Sequence, residues 1–433
     1  MTKRHLMKRL FLIVLAMGIF VPACVIGLEL VREPGSDQVS TLAADSNGQI
    51  ARGAYLARAG NCMACHTTRG GQEYAGGRAI STPFGNIYSS NITPDKKTGI
   101  GTWTSNDFWR AIHNGKSKDG SFLYPAFPYT SYTKVTRADS DAIFAYLRTL
   151  TPVAQENRQH ELQFPFSQRI LLAFWRMLYF SPGAYQEQGN QSPEWNRGAY
   201  LVQGLGHCSA CHTSRNFLGG SADTAALTGG MIPTLNWYAS SLALDAGAAR
   251  RDWQTKDLAD LLKTGVSSKG AVFGPMAEVI SGSLQHLSAS DINAMAIYLK
   301  SIPHVDTIAQ SELGEVSKQE EAVLKQGAKL YEKYCAECHK SDGKGAPPGY
   351  PPLVGTRSLA ARSPINPIRI VLNGGYPPTT KGNPRPYGMP PFAVELNDSE
   401  VAAVVSYIRT SWGNKGNMVS PIDVGRFRGA PIE

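Results

Sequence analysis

The chain has 433 residues, with 43 basic against 34 acidic side chains and a formal charge of +9, and that length corresponds to about three domains of ~150 residues. Four of the cations, Lys3, Arg4, Lys8 and Arg9, precede the first apolar run; without them 39 basic residues face 34 acidic ones, a surplus of +5. No Lys/Arg run or aromatic–basic interleaving forms a nucleic-acid groove, so a nucleic-acid partner is excluded.

The N-terminus continues from that basic start into an apolar run from Leu10 to Leu28, with no acidic residue before Glu29. As a helix the run reaches about 28 Å, close to the hydrocarbon thickness of a bilayer. The charges hold the N-terminus inside and send the rest outward. Residues 1–30 therefore read as a membrane anchor or signal segment. Val21-Pro22-Ala23 offers a cleavage site that would leave Cys24 first. Pro22 suits that site badly, and the run stays apolar past Ala23, so an uncleaved anchor is preferred. Cys24 reads as an inert membrane cysteine.

Residues 45–160 open with a short helical segment, Arg52-Gly53-Ala54-Tyr55-Leu56, followed by Cys62-Met63-Ala64-Cys65-His66. A Gly/Pro-rich stretch contains Tyr124-Pro125-Ala126-Phe127-Pro128-Tyr129, and Ser140–Arg148 closes the segment as an amphipathic helix. Residues 161–190 form a connector with an apolar part, Phe164 to Phe180, interrupted by Arg176. It is too short and too charged to span a membrane. It suits a helix lying at the membrane interface, a docking surface for a partner subunit, or packing between domains.

The same order recurs twice. Residues 191–305 carry Arg197-Gly198-Ala199-Tyr200-Leu201, then Cys208-Ser209-Ala210-Cys211-His212, Phe273-Gly274-Pro275-Met276, and a closing helix Ser290–Lys300. Residues 318–415 carry Gln326-Gly327-Ala328-Lys329-Leu330, then Cys335-Ala336-Glu337-Cys338-His339, Tyr387-Gly388-Met389-Pro390-Pro391, and a closing helix Asp398–Arg409. A repeat of this length is the architecture of the chain.

Cys-x-x-Cys-His is the attachment signature of c-type haem. Two thiols one helical turn apart, Cys62 and Cys65, Cys208 and Cys211, Cys335 and Cys338, can each bond one vinyl group of a porphyrin. The following His66, His212 or His339 then ligates the iron. A zinc ribbon would bring two Cys-x-x-Cys knuckles into one small module, and a thioredoxin-like pair would sit in a βαβ pattern. Neither pattern is present. The cofactors expected are three covalently bound haem c.

The whole arrangement resembles the class I cytochrome c fold, in which the first and last helices cross closely. Gly53, Gly198 and Gly327 would admit an aromatic from the closing helix, with Tyr146, Tyr298 and Tyr407 as candidates. The fold class expected is all-α, three tandem class I cytochrome c domains behind the N-terminal segment. A thioether opposite histidine raises the reduction potential and closes the iron to other ligands. Met276 and Met389 occupy matching Gly/Pro loops and are read as the sixth ligands. In the first domain Phe127 falls at the place of Met276 and cannot ligate iron. His113 and, further off, His160 or Met177 are the remaining donors there; a surface or haem-contacting role is the plainer reading of His113.

Residues 45 to 425 also resemble the triple-haem cytochrome c subunits of membrane-bound bacterial dehydrogenases. The resemblance rests on Gly204-Leu205-Gly206-His207-Cys208-Ser209-Ala210-Cys211-His212-Thr213, Asn91-Ile92-Thr93-Pro94-Asp95, Ser406-Tyr407-Ile408-Arg409-Thr410-Ser411-Trp412-Gly413-Asn414 and the three-domain order. It implies a non-catalytic subunit on the periplasmic side of the bacterial inner membrane. Such a subunit takes electrons from a molybdopterin, quinoprotein or flavoprotein catalytic subunit and delivers them to ubiquinone. Tyr124–Tyr129, Glu194–Tyr200 and Gly382–Phe392 look closest to the branch paired with molybdopterin aldehyde dehydrogenases. Two other classes stay open: a free-standing multihaem shuttle or oxidase-associated cytochrome, and a haem enzyme or gas sensor using an open first site. No nucleotide-binding loop or Ser/His/Asp arrangement assigns substrate chemistry to the chain, and no catalytic residue is expected.

Overall fold

The computed structural model describes residues 20, 23–32, 47–221, 226–232, 234–243, 253–303 and 317–429. They divide into two units: the first holds residues up to 56, 65–186 and 216–220, the second 57–64, 187–215 and 221 onward. The structure is helix-rich, 46% helical. The all-α expectation holds at that level, and among the described residues three small antiparallel sheets add strands that the repeat did not announce.

Helix α1 (Asn47–Ala59) leads to α2 (Cys62–His66), residues 57–64 of this stretch being counted with the second unit. Strands β1 (Ala79–Thr82) and β2 (Gly85–Tyr88) pair antiparallel with Ala79 opposite Tyr88. Helix α3 (Ser105–Asn114) starts on a Thr104/Asp107 capping box and stops at Gly115, whose φ of 60° is the left-handed conformation glycine permits. After α4 (Tyr129–Tyr132), the closing helix α5 (Arg137–Leu147) is capped by Thr136. A third strand, β3 (Glu161–Leu162), joins β2, and α6 (Leu172–Tyr179) lies in the connector.

α6 buries Ala173 and Arg176 but leaves Met177 and Leu178 exposed, with Phe164, Ile170 and Leu171 exposed beside it in sequence. Arg176 is 1% exposed: its Nε donates to Glu29 at 2.9 Å and its Nη1 to Asn114 O at 2.7 Å. A buried charge survives only when paired and hydrogen-bonded, which both contacts provide. The residue that interrupts the apolar connector is therefore the one that pins it. Glu29 lies in the last turn of a helical stretch over residues 23–31, and Lys116 Nζ donates to Leu30 O and Arg32 O beside it. Most of the expected anchor, residues 1–19 and 21–22, lies outside the described residues. Among the described residues no helix is long and apolar enough to cross a membrane. Cys24 is exposed.

The second unit contains both remaining repeats. Helix α7 (Pro193–Gln203) precedes α8 (Ser209–His212); β4 (Gly230–Ile232) pairs with β5 (Trp237–Ala239). Helix α9 (Thr255–Thr264) runs into the ribbon β6 (Val266–Ser267) and β7 (Gly270–Ala271), then α10 (Pro275–Gly282) and the closing helix α11 (Ala289–Ser301). The third repeat has α12 (Lys318–Tyr334), α13 (Ala336–His339), α14 (Arg357–Ala360), α15 (Ile365–Asn373), the closing helix α16 (Asp398–Thr410) and α17 (Pro421–Arg428). Its core gathers Tyr331, Ile368, Leu372, Val401 and Val405 between these helices.

The expected crossing of first and closing helices is present in all three repeats. A Cβ on Gly53, Gly198 or Gly327 would overlap the carbonyl of Ala142, Ala294 or Ala403. The same Cβ would lie 2.9, 2.9 and 2.8 Å from the Cβ of Tyr146, Tyr298 and Tyr407. Glycine is required there by space, since the helices touch backbone to backbone. The arginine before the glycine adds a tie in two repeats: Arg52 Nε meets Asp139 at 2.7 Å, and Arg197 Nε and Nη2 both meet Asp291 at 2.8 Å. The third repeat has Gln326 at that position.

Candidate haem-attachment sites

Each pentapeptide forms a single helical turn. His212 N donates to Cys208 O and His339 N to Cys335 O, both at 2.9 Å, so the two cysteines of each pair stand about one turn apart on one side. Burial raises the Cys208 and Cys335 thiols to about 12. They are poor thiolates, unlike the low-pKa cysteine of a dithiol oxidoreductase. Among the described residues no three His, Cys, Asp or Glu side chains cluster to hold a bare metal ion.

The histidines share one further contact. His66 Nδ1 lies 2.6 Å from Ser90 O, His212 Nδ1 2.6 Å from Ser240 O, and His339 Nδ1 2.9 Å from Pro351 O. A carbonyl only accepts, so Nδ1 carries the proton and Nε2 is left as the ring's metal-binding nitrogen. Burial lowers the pKa of all three imidazoles, which favours the neutral form that binds iron. Two thiols per turn and one oriented neutral imidazole fit a covalently attached haem at all three places.

The loops that supply these carbonyls are themselves braced, and two of the sequence motifs do the bracing. Asn91, buried beside Ser90, donates from Nδ2 to Val153 O at 2.8 Å, and its Oδ1 accepts from Thr93 N at 2.9 Å. Its own N–H is held by Asn157 Oδ1 at 2.7 Å. In the third repeat Asn414 donates to Leu353 O at 3.1 Å and Ile408 O at 2.8 Å, and accepts from Gly355 N at 2.8 Å. Trp412 Nε1 adds a bond to Ser341 O at 3.2 Å. The roles of Asn91 and Asn414 were not readable from the motifs, because their partners lie up to 66 residues away.

Of the expected sixth ligands, Met276 stands in the first turn of α10 and is half-buried. Met389 is half-buried against the third core, and its backbone pairs with Gly375 through bonds of 2.8 and 3.0 Å. In the first repeat Phe127 sits in the loop between Tyr124 and α4, its ring 5.3 Å from that of Tyr132. His113 is buried rather than at the surface: it is 3% exposed and stacks on Trp109 at 4.2 Å. Burial lowers its pKa to about 4. Both ring nitrogens of His160 are engaged, Nδ1 by Tyr88 N at 3.2 Å and Nε2 by Arg169 at 3.1 Å. Met177 is 52% exposed on α6.

Comparison with known proteins agrees with this chemistry. The cytochrome c family matches residues 50–151 and 324–412. The chain is 40% identical over 415 residues, 92% of its length and 88% of the relative's, to the cytochrome c subunit of a quinone alcohol dehydrogenase from Gluconacetobacter polyoxogenes. It is 42% identical over 395 residues to the cytochrome c subunit of gluconate 2-dehydrogenase from Pantoea cypripedii, covering 88% of this chain and 89% of that one. It is also 42% identical over 375 residues to a nicotinate dehydrogenase subunit from Pseudomonas putida, covering 84% of this chain and 30% of that longer protein. Cytochrome c domains imply covalent haem c and an electron-transfer role. The chain belongs to the family of dehydrogenase cytochrome c subunits.

Proposed function

We propose that the chain carries three haem c groups and conducts electrons from a partner dehydrogenase to ubiquinone or the respiratory chain. The observation that carries this reading is the threefold recurrence of one site: a Cys-x-x-Cys-His turn whose histidine donates from Nδ1 to a loop carbonyl. Cys62, Cys65, Cys208, Cys211, Cys335 and Cys338 would hold the porphyrins, and His66, His212 and His339 the irons. Bound there, haem supplies one-electron exchange between ferric and ferrous iron. The chain's own residues orient the imidazoles, bury them and, through Met276 and Met389, close two of the three sites with a thioether. No side chain is assigned a catalytic step.

The partner is an aldehyde- or alcohol-oxidising enzyme, and the Tyr124–Tyr129, Glu194–Tyr200 and Gly382–Phe392 segments favour a molybdopterin one over a quinoprotein or flavoprotein. The basic start and apolar run of residues 1–30 favour the periplasmic side of the inner membrane. The exposed Met177, Leu178, Ile170 and Leu171 suit a surface that meets the membrane. Purification with natural partners tests the whole reading. The expected result is a stable complex with a large dehydrogenase subunit whose substrate reduces all the haem of this chain. Isolation of the chain alone, with no partner able to reduce it, would favour a free-standing shuttle or oxidase-associated cytochrome. Phe127 supports one second reading, a haem enzyme or gas sensor at the first site. Carbon monoxide binding to the reduced protein would distinguish it.

A further inference from the structure

The first and third sites brace their histidine-holding loops with residues of their own repeat, Asn91 and Asn414. The second site's loop, from β5 to Ser241, is tied to its own repeat through Leu227 and the β4–β5 ladder, and is gripped in addition by the third repeat. Asn366 on α15 accepts from Tyr238 N at 2.9 Å and donates to Tyr238 O at 2.8 Å, and Arg357 Nη1 donates to Ser241 O at 2.5 Å. Ser240 between them accepts from His212. The Arg357 guanidinium is half-buried and lies 5.7 Å over the ring of buried Trp253, which fixes the charge in place. In the first repeat the residue after the acceptor, Asn91, receives a neutral amide at its N–H instead.

We propose that Arg357 is a positioning residue for the second haem site, one that raises its reduction potential from the neighbouring repeat. Ferric haem carries one more positive charge than ferrous haem. A fixed cation on the proximal side, shielded from solvent by the Trp253 stack, disfavours the ferric state. The bond to Ser241 O also holds the carbonyl next to the one that orients His212, so position and charge arrive through one side chain. This inference rests on the second pentapeptide bearing haem.

The test is a spectroelectrochemical titration of the full-length holoprotein. The second-site component is assigned as the one absent from the Cys208→Ala/Cys211→Ala variant. Arg357→Gln should keep the full haem content and lower that component's potential. The shift should be as much as about tenfold in the ferrous-to-ferric ratio at fixed poise, equivalent to about 59 mV for one electron. Arg357→Lys, which keeps the charge, should recover most of the shift. Asn366→Ala loosens the same loop without removing charge and should move the potential less. An unchanged potential in Arg357→Gln, or equal shifts in the Gln and Lys variants or in Asn366→Ala, would overturn the proposal. Wild-type protein with no haem at Cys208 and Cys211 would overturn the reading beneath it.

Discussion

At the first site the carbonyl that orients the proximal imidazole belongs to a loop braced by the amides of Asn91 and Asn157. At the second it lies in a loop gripped by Arg357 and Asn366 of another repeat. The sequence registers also differ, Phe127 of the first repeat falling at the place of Met276 in the second. The shared parts, the Cys-x-x-Cys-His turn and the glycine crossing, are the ones that attach haem and build the fold. The parts that differ are the ones proposed to set potential and access to iron, so on this reading repetition fixes the scaffold and tuning comes from what varies between repeats.

The largest effect that would break the comparison is loss of a whole site. Replacing Cys208 and Cys211 with Ala should remove one third of the haem in a pyridine haemochrome assay and leave the first and third sites spectroscopically intact. Next are the expected sixth ligands. Met276→Ala or Met389→Ala should open one iron to external ligands and lower its potential, because a thioether favours ferrous iron. The ferric spectrum of the unmutated protein should show two His/Met sites, and Phe127→Met should add a third. Three His/Met sites before mutation would mean that Met177 or another methionine reaches the first iron.

The scaffold itself can be probed at the crossing. Gly198→Ala forces a Cβ against the Ala294 carbonyl and should cost about 1–3 kcal/mol in denaturant unfolding, as overpacking typically does. Gly327→Ala should behave alike, and a neutral result at either would contradict the backbone contact. A smaller, graded effect comes from His113. Its pKa is lowered to about 4 by burial, so below the ordinary value near 6.5 the unfolded chain binds the extra proton and the folded one does not. Stability therefore falls as pH drops from about 6.5 toward 4, by at most about 1.4 kcal/mol per pH unit. His113→Gln should flatten that limb. It should leave the spectrum of the first site unchanged if His113 is only packed on Trp109, and a changed spectrum would make it the ligand.

Much of this was legible in the chain because the signals are local. The three pentapeptides need only five consecutive residues each. The glycines ahead of them announce a helix crossing, and the tyrosines of the closing helices follow from periodicity. What was not legible depends on contacts across long separations. Asn91 reads as part of a loop motif until Val153 and Asn157 are brought beside it. Arg176 reads as a flaw in an apolar connector until Glu29 and the Asn114 carbonyl surround it. Arg357 is unremarked in sequence, because its effect is exerted 116 residues away at Ser241. The short ribbons β4–β5 and β6–β7 were missed for a different reason: two- and three-residue strands carry too little alternation to show.

The central claim is that the three pentapeptides are equivalent attachment sites on one electron-carrying chain. The measurement that tests it most directly is the covalent haem count of the mature, unmutated protein, by haemochrome absorbance together with intact mass. Three haems per chain is the predicted result. Two or fewer in fully matured protein would contradict the equivalence of the sites.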